Sequence, residues 1–485
     1  MSDKPPVVVV GAGIVGCVAA LIIARRGHRV EIFERRPDTR KGDVYAAPSI
    51  GCSLSSRGIR TLRTMGITNE EIEALGVPVR GRCIHTRQGH LAYQIDGDEG
   101  SSISVKRQEL NELLLSKCDA EANIEVHFRH RCEGINLKRD FVRFIDEEKD
   151  KCVKKHCRII IGADGAFSRV RSAMIKTGKI GYSHVYIEHG YKELTIPPTD
   201  LDQFAIDPKY HHIWPRGNFV MMALPNPDKS FTVTLYMSQQ ARWPCFEALT
   251  DSHNLRAFFK RNFPDVVEHM PPHLLQRFLE QPTSSLMNVK CSQYHYQDKA
   301  ILLGDAAHAV DPFLGQGANC ALEDCHELNR LLQEKGNNWA EIFEAYTQCR
   351  KPNCDAVQSM SYSNYEVIRS RLMSCPYRAF ERLQGWLHTI CGQHFVPLHL
   401  MVTNPEIPYA EVSKRAERQD KLLRRSLIVV GIMGSTATVA SAWLGVCRLL
   451  ESQVVREFCS TAGSLIACGL ACMLKSKQKQ VEAAW

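Results

Sequence analysis

The chain has 485 residues, of which 44% are hydrophobic and 24% charged, so it is long enough for two or three domains and too apolar for wholesale disorder. Its formal net charge of +8 is modest for this length, and basic and aromatic residues are not interleaved, so we expect no nucleic-acid partner. The 19 cysteines show no zinc-ligand spacing, which favours reduced thiols and predicts neither a metal site nor a disulfide framework.

The first 34 residues predict a strand, a glycine loop, a helix and a second strand. The apolar run VVVV leads directly into Gly11-Ala12-Gly13-Ile14-Val15-Gly16, and CVAALIIARRG and VEIF follow. Glycines in this context allow a tight turn and let a pyrophosphate approach the N-terminus of a helix. Glu34, at the end of the second strand, is placed to accept hydrogen bonds from ribose hydroxyls. We therefore predict a dinucleotide site; the alternative is a tight turn in an unrelated α/β protein.

The rest of the chain alternates between α/β and antiparallel patterns. We predict a helix near 57–66, strands near 80–86 and 90–95, a strand ending at Val105 and a helix over 108–117. Between 186 and 286, stretches such as FVMMALP and SFTVTLYM are typical of an antiparallel sheet, and 318–425 is mainly helical.

These patterns predict an α/β fold with a discontinuous, Rossmann-like nucleotide-binding domain. Its three parts are expected at residues 1–75, 104–182 and 291–375. A substrate domain built on an antiparallel sheet is inserted at 76–103 and 183–290, and a C-terminal helical region is expected at 376–425.

The C-terminus predicts a membrane anchor at 426–474. The run SLIVVGIMGSTATVASAWLGVC has no charge over 22 residues, which as a helix at ~1.5 Å per residue would cross the core of a bilayer. A second uncharged run, of 17 residues at 458–474, is borderline. Basic residues flank both outer ends, which suits a hairpin with both ends in the cytosol. The alternative is a buried pair of helices.

Two further motifs resemble those of flavin monooxygenases. IIIGADG, with Asp164 and Gly165, resembles their DG motif, and Gly304-Asp305 resembles the motif whose aspartate accepts from the ribityl chain. The resemblance implies non-covalent FAD held at opposite ends by Gly11 and Asp305; a helix N-cap is the alternative for Asp305 alone. The segment after it would bring a helix N-terminus to the flavin ring through Pro312, Gly315, Gly317, Ala318 and Asn319. No second GxGxxG follows a strand, so NADPH is expected only as a transient co-substrate.

Longer stretches resemble one family. HGYKELTIPP, HIWPRGNFVMMALPNPDKSFTVTLYM, VKCSQYHY, LLGDAAHAVDPFLGQGANCALEDC and FVPLHLMVT resemble the kynurenine 3-monooxygenases, which are class A flavoprotein aromatic hydroxylases. The resemblance covers about residues 7–403. It implies an enzyme that hydroxylates L-kynurenine to 3-hydroxy-L-kynurenine with NADPH and O2, through a flavin C4a-hydroperoxide, in tryptophan degradation and NAD biosynthesis. It also implies a place on the mitochondrial outer membrane, with the catalytic domain facing the cytosol.

The same resemblance assigns the substrate site. Arg82 matches the arginine that pairs with the substrate carboxylate, and Asn364 matches a second carboxylate contact. Tyr93 is the candidate for the family's tyrosine contact, although Asp96, where that tyrosine usually stands, precedes Gly97. The positions matching the ring pocket are Met222, Leu224, Tyr236 and Phe313. Arg107 matches an arginine on the flavin side, Arg36 is a candidate near the adenosine end, and no protein residue is expected to act as a catalytic acid or base.

Two other functions fit parts of the sequence. One is a flavin hydroxylase for another aromatic compound, such as a phenolic quinone precursor at a membrane, which would not need an arginine and asparagine for a carboxylate. The other is a non-catalytic escort protein on the same scaffold, against which the intact glycine loop, DG motif and Gly304-Asp305 argue.

Overall fold

The structure, a computed structural model, describes residues 5–42, 51–95, 102–240 and 243–433. These residues form two compact units. The first comprises the described residues up to Ser374 together with Val402–Ala410, and the second comprises Cys375–Met401 and the described residues from Glu411 onward.

The described residues contain both strands and helices along most of the chain. The strands are β1 (Val7–Val10), β2 (Val30–Phe33), β3 (Gly51–Leu54), β4 (Gly76–Val79), β5 (Gly81–His85), β6 (Leu91–Ile95), β7 (Ser102–Lys106), β8 (Ile124–His127), β9 (His130–Asn136), β10 (Phe141–Asp146), β11 (Lys151–His156), β12 (Ile160–Gly162), β13 (Tyr182–Ile196), β14 (His211–Pro215), β15 (Val220–Pro225), β16 (Phe231–Ser238), β17 (Ser284–Cys291), β18 (His295–Tyr296) and β19 (Ala300–Leu302). The helices are α1 (Ile14–Ala24), α2 (Ser56–Thr64), α3 (Asn69–Ala74), α4 (Arg107–Asp119), α5 (Arg169–Ile175), α6 (Ser252–Asn262), α7 (Pro264–Val267), α8 (Pro272–Glu280), α9 (Asp305–His308), α10 (Gly317–Lys335), α11 (Trp339–Ser370), α12 (Cys375–Cys391), α13 (Leu398–Thr403) and α14 (Tyr409–Met433).

A six-stranded sheet in the order β18-β19-β12-β1-β2-β8 carries the glycine loop. All its pairings are parallel except that between β18 and β19. The four valines of β1 are all buried, as expected for a central parallel strand with both faces covered. Helix α1 crosses from β1 to β2, so the βαβ start predicted from the sequence is confirmed.

A seven-stranded sheet in the order β17-β13-β16-β15-β14-β5-β6 forms the second layer. Its pairings are antiparallel except for β14 with β5. One face packs on α6, α7 and α8 in a core that includes Trp214, Met221, Leu235 and Phe259. The alternation between 186 and 286 predicted strands, and these three helices within that range correct the prediction. The alternating sequence pattern of the strands indicates that one face of the sheet is apolar, but it does not indicate which elements cover that face.

Two smaller sheets complete the first unit. β4 pairs with β7, which also pairs with β3, so Gly76–Val79 lies in this three-stranded sheet and not beside β5. Strands β9, β10 and β11 form an antiparallel sheet that the sequence analysis did not anticipate. The α/β class is confirmed, while the domain boundaries stay a prediction.

The second unit is helical where it is described. Leu387, Phe395 and Leu423 form its apolar cluster, with Phe380 and Leu383 packed against them. Within the described ranges, no helix combines the length and apolarity that a bilayer span requires. The expected anchor begins inside α14, but residues 434–474 lie outside the part of the chain that the structure describes.

Candidate functional site

The glycine loop at the end of β1 has two glycines that the fold requires and one that leaves space. Gly11 has φ +101°, and an added Cβ would lie 2.5 Å from the carbonyl oxygen of Ala163. A Cβ on Gly16 would lie 1.9 Å from the carbonyl oxygen of Gly11, which explains the tight strand–helix packing. A Cβ on Gly13, the N-cap of α1, would meet no described atom within 4 Å. Space for a phosphate therefore lies at the helix N-terminus, where anions bind favourably.

Glu34 follows β2 and ties the loop together. One carboxylate oxygen accepts from the backbone N–H of Ala12 at 2.9 Å, and the other accepts from Arg36 Nε at 2.9 Å and from its backbone N–H at 3.0 Å. Burial opposes ionisation of Glu34, but the charge and hydrogen bonds of Arg36 leave its pKa lowered. Glu34 and Arg36 thus stand together beside the loop, and their contact with ribose or adenosine stays a prediction.

The DG motif meets the glycine loop. The Cβ position of Gly11 lies 3.0 Å from the Cα of Asp164. Asp164 Oδ2 accepts from the backbone N–H groups of Arg169 and Val170 at 2.6 and 3.2 Å, while Oδ1 is enclosed without a partner among the described residues. Burial raises the pKa of Asp164. An enclosed acceptor without a donor is the kind of group that a bound ligand satisfies.

Gly304 and Asp305 complete this edge of the sheet. Gly304 has φ +57°, and its Cβ position lies 3.1 Å from a Val15 methyl, so the turn after β19 touches the glycine loop. Half-buried Asp305 begins α9 and has no hydrogen-bond or ionic partner among the described residues. Gly11, Asp164 and Asp305 thus gather at the carboxyl ends of three neighbouring parallel strands, where such sheets bind ligands.

A buried ionic network supports the Gly304 turn from behind. Asp324 on α10 accepts from the backbone N–H of Gly304 at 2.8 Å, from His308 Nε2 at 2.6 Å and from Arg350 Nε at 2.8 Å. Burial alone would lower the pKa of His308, but the charge of Asp324 raises it to about 9. Arg350 also pairs with Glu323 at 2.7 Å. This network was not predicted from the sequence; its signal was the adjacent acids Glu323 and Asp324, which the apolar residues of CALEDC flank.

The glycine-rich segment before α10 leaves open space beside this turn. Added Cβ atoms at Gly315 and Gly317 would meet no described atom within 4 Å. Pro312 opens the preceding turn, and half-buried Ala318 lies in the first turn of α10. Asn319 accepts from the backbone N–H of Ser55 at 2.9 Å and donates to the carbonyl of Ser53 at 2.8 Å. There is space beside Gly13 at one end of this sheet edge and beside Gly315 and Gly317 at the other. Together with the unpartnered oxygens of Asp164 and Asp305, this arrangement fits an elongated cofactor such as FAD.

The seven-stranded sheet presents the predicted substrate residues on the face away from α6–α8. Paired residues point to the same side of a sheet, and alternate residues share a face. Arg82 is opposite His211 on β14. On β15, which neighbours β14, Met222 is opposite Thr234 of β16 and Leu224 is opposite Thr232. Tyr236 lies two residues after Thr234 and therefore on the same face. The register of these strands thus brings residues 82, 222, 224 and 236 to one surface.

Aromatic side chains close one end of this surface. The Phe313 ring packs edge-on against Tyr236 at 5.1 Å between centroids and stacks on Tyr365 at 3.9 Å. Asn364 donates from Nδ2 to the carbonyl oxygen of Phe313 at 2.8 Å. Tyr191, opposite Tyr236 on β13, extends the group. Tyr365 and Tyr191 were not predicted as site residues, and they follow only from the packing.

Arg82 and Tyr93 lie on different faces of the sheet. Tyr93 is opposite Cys83, the neighbour of Arg82, so strand alternation turns it away from Arg82; its side chain is 50% exposed and contacts Tyr210. The structure therefore does not bring Tyr93 to the substrate face, and Asp96 and Gly97 lie outside the described residues. The Arg82 side chain is half-buried, and its guanidinium has no hydrogen-bond or ionic partner among the described residues. Arg107, the first residue of α4, is exposed.

Comparisons with known proteins agree with this geometry. Residues 4–361 match the FAD binding domain family. Kynurenine 3-monooxygenase of Drosophila willistoni is 37% identical over 437 residues, which are 89% of this chain and 94% of that protein. The enzyme of the same name from Sus scrofa is 35% identical over 440 residues, 90% of this chain and 92% of that protein.

Solved structures share the fold at lower identity. The tetrameric form of 2-methyl-3-hydroxypyridine-5-carboxylic acid oxygenase superposes with a TM-score of 0.62 at 18% identity, covering 77% of this chain and 95% of that one. PqsL of Pseudomonas aeruginosa in complex with 2-aminobenzoylacetate superposes with a TM-score of 0.62 at 21% identity, covering 76% of this chain and 98% of that one. At these identities the likeness is one of fold alone.

The two sheets, the gathered flavin motifs and the matched family define an FAD-dependent flavoprotein monooxygenase. Its sequence relatives are more specific than its fold. The chain belongs to the kynurenine 3-monooxygenase family.

Proposed function

We propose that this protein hydroxylates L-kynurenine to 3-hydroxy-L-kynurenine, with FAD as bound cofactor and NADPH and O2 as co-substrates. The observation that carries the proposal is the Arg82 guanidinium, which has no described protein partner and lies on the sheet face that also holds Met222, Leu224 and Tyr236. A fixed cation beside apolar and aromatic side chains suits an aromatic amino acid, whose carboxylate can pair with guanidinium in a bidentate way.

The protein's own part in the reaction is placement and exclusion of water. FAD, when bound, takes a hydride from NADPH and enables O2 to deliver one oxygen atom to the ring. Arg82 holds the carboxylate and Asn364 fixes the Phe313 backbone, while Tyr236 and Phe313 confine the ring. Holding the ring in one orientation lowers the entropic part of the barrier, and the apolar wall keeps water from the reacting atoms.

Turnover of the FAD-loaded protein tests the proposal. NADPH oxidation is measured with and without L-kynurenine, and the product is identified by mass. We expect strong stimulation and a product heavier by one oxygen atom, with little peroxide. Absence of stimulation by L-kynurenine, or a phenol that is hydroxylated far faster, would contradict the proposed substrate. A protein that cannot be loaded with FAD at all would contradict the enzyme class.

We further propose that the C-terminal segment at 426–474 anchors the protein to the mitochondrial outer membrane, with the catalytic domain facing the cytosol. The uncharged runs and their basic flanks support an anchor, and the location follows the family resemblance. Fractionation of cells and protease treatment of intact mitochondria test this. We expect to find the chain in the outer-membrane fraction, and we expect the protease to cleave the catalytic domain without disruption of the organelle; protection from protease would contradict the orientation.

A further inference from the structure

Glu193 on β13 is a buried carboxyl group that has no part in the reaction proposed above. Its side chain is 7% exposed, and its Oε1 is enclosed without a hydrogen-bond partner. No described residue donates a hydrogen bond to either oxygen, and burial raises the pKa of this carboxyl to about 7. Buried carboxyl groups are costly unless they are paired, so the missing donor needs an explanation.

Other buried carboxylates of the same unit do have donors. Asp324 accepts from His308 and Arg350, and Glu323 accepts from Arg57 and Arg350. These groups support the fold behind the Gly304 turn. Glu193 has no such partner, which sets it apart from the structural ion pairs.

The strand register places Glu193 on the substrate face. Glu193 is opposite Thr234, and Thr234 is opposite Met222, so the three form one row across β13, β16 and β15. Tyr191 and Tyr236 form the next row on the same face. The carboxyl group therefore belongs to the wall that already holds the ring-pocket residues.

Arg82 and Glu193 stand on opposite sides of this face. The sheet order separates their strands by four steps, which at ~4.8 Å per step is about 19 Å between backbones. Both side chains extend from the same face, one a cation and the other a carboxyl group without a donor. A ligand suited to this surface carries an anionic group at one end and an N–H donor at the other.

We propose that Glu193 accepts a hydrogen bond from the aromatic amine of the substrate and thereby selects an aminoaryl ring. The inference rests on the proposed function and deepens it. The lone pair of an aryl amine is delocalised into the ring, so its N–H groups are hydrogen-bond donors. Electron release from the amine during hydroxylation leaves positive charge on nitrogen, which a fixed carboxylate stabilises.

Binding of two ligands by the FAD-loaded protein tests the role of Glu193. The ligands are L-kynurenine and β-benzoyl-L-alanine, which has the same amino-acid head but no ring amine, and Kd is measured by calorimetry without turnover. We expect the wild type to prefer L-kynurenine by about tenfold or more, the usual range for a hydrogen bond to a charged acceptor. Glu193→Met is expected to reduce that preference to within about twofold.

A matched control comes from the same strand. Glu188 is an exposed glutamate of β13 whose side chain accepts a hydrogen bond from the hydroxyl of Ser238 at 3.4 Å. Glu188→Met is expected to leave both Kd values unchanged. FAD content and melting temperature of each variant report whether the fold is intact.

Glu193→Gln provides a second variant with the same shape. In the wild type, affinity for L-kynurenine should rise from pH 6 to pH 8, because the amine favours the ionised carboxyl group. In Glu193→Gln this rise should disappear while binding itself persists, since the amide oxygen still accepts. Tyr191 and Tyr236 share the face, and their raised pKa values keep them neutral in this range. Burial raises both pKa values; the charge of Arg107 partly offsets the rise in the pKa of Tyr191, and that of Asp311 adds to the rise in the pKa of Tyr236. Any contribution of these groups to the pH dependence of binding should also be seen with β-benzoyl-L-alanine.

Four results would overturn the inference. Equal weakening of both ligands in Glu193→Met would show a structural role only. An unchanged preference for L-kynurenine in that variant, or an unchanged pH dependence in Glu193→Gln, would show that Glu193 does not contact the amine. Failure of the wild type to bind L-kynurenine would instead overturn the proposed substrate, and this inference with it.

Discussion

Gly11 and Gly13 of the same loop differ in whether their positions can accept a larger side chain. Gly13→Ala adds a Cβ that meets no described atom, and its φ of −72° suits alanine, so the apoprotein should keep its melting temperature. The new methyl group occupies the space at the helix N-terminus, so FAD should bind about tenfold more weakly or worse. Apoprotein melting and FAD titration measure the two effects separately.

Gly11→Ala is the comparison for that experiment. Its Cβ would lie 2.5 Å from the Ala163 carbonyl oxygen, and its φ of +101° strains any L side chain. We expect the apoprotein itself to melt at a lower temperature. Equal stability of the two apoproteins, or unchanged FAD affinity in Gly13→Ala, would contradict the assignment of the space beside Gly13.

Arg82→Ala should raise KM for L-kynurenine by about 10- to 100-fold, because it removes a charge-assisted pair with the substrate carboxylate. Steady-state kinetics of NADPH oxidation and product formation measure the change. Arg80→Ala removes an exposed arginine two residues away and should leave KM unchanged. A KM for Arg82→Ala equal to that of the wild type would mean that the substrate carboxylate binds elsewhere.

For individual residues, the local motifs were predictable from the sequence, but the strand register that decides which face a side chain occupies was not. The glycine loop and Asp164 follow from short stretches, because their chemistry depends on neighbours in sequence. Tyr93 was expected beside Arg82, but a shift of one residue in strand pairing changes the face of a side chain. Glu193 was overlooked because a glutamate within KELTI does not reveal on which face it will be buried.

Between elements, the contact of α9 with α10 predicts a pH dependence of stability. The pKa of His308 is raised to about 9 by Asp324, above the value near 6.5 of an unfolded chain. Its contribution is therefore complete below about pH 6.5 and is lost as the pH rises through about 9. We expect the free energy of unfolding to fall over this range by an amount on the order of 1–3 kcal/mol, measured by denaturant titration of the apoprotein.

His308→Gln isolates that contribution. The variant keeps a hydrogen-bond donor near Asp324 but cannot carry a charge, so its stability should be lower at pH 6.5 and should vary less between pH 6.5 and 9. An identical pH dependence in the wild type and the variant would mean that His308 is not charged in the folded protein.

Most regular elements were predictable from periodicity, but those that cover the second sheet were not. Helices α2, α4, α10 and α11 were expected from their 3.6-residue patterns and are present. The segment that forms α6 to α8 lies between clear strands and was interpreted together with them, although Asp251 caps α6 and a proline begins each of α7 and α8, which are helix-start signals. The apolar face of the seven-stranded sheet requires such a cover, and the packing supplies it.

For the whole molecule, the C-terminal segment predicts a change in partitioning. A chain ending at Met433 retains the described part of α14 but loses most of the uncharged run that begins at Ser426. We expect this chain to stay in the aqueous phase without detergent and to bind FAD as the full chain does. Equal partitioning of the two chains between detergent and water would contradict the anchor.

The overall architecture was predictable because three flavin motifs appear in a fixed order with a different texture between them. The structure confirms an α/β fold in which distant segments share one sheet. The assignment of neighbouring strands to different sheets was not predictable: Gly76–Val79 pairs with β7, although its neighbour β5 joins the larger sheet.

The strand order of the six-stranded sheet also constrains synthesis of the chain. β1 pairs with β12, and β12 pairs with β19 at Ala300–Leu302, so the sheet is incomplete until residues near 302 have left the ribosome. Pairings between such distant segments form slowly. Strand β12, already next to β1, therefore stays unpaired on its other side until more than half of the chain has been made. The edge of the sheet that carries Asp164 and Asp305 is thus assembled last.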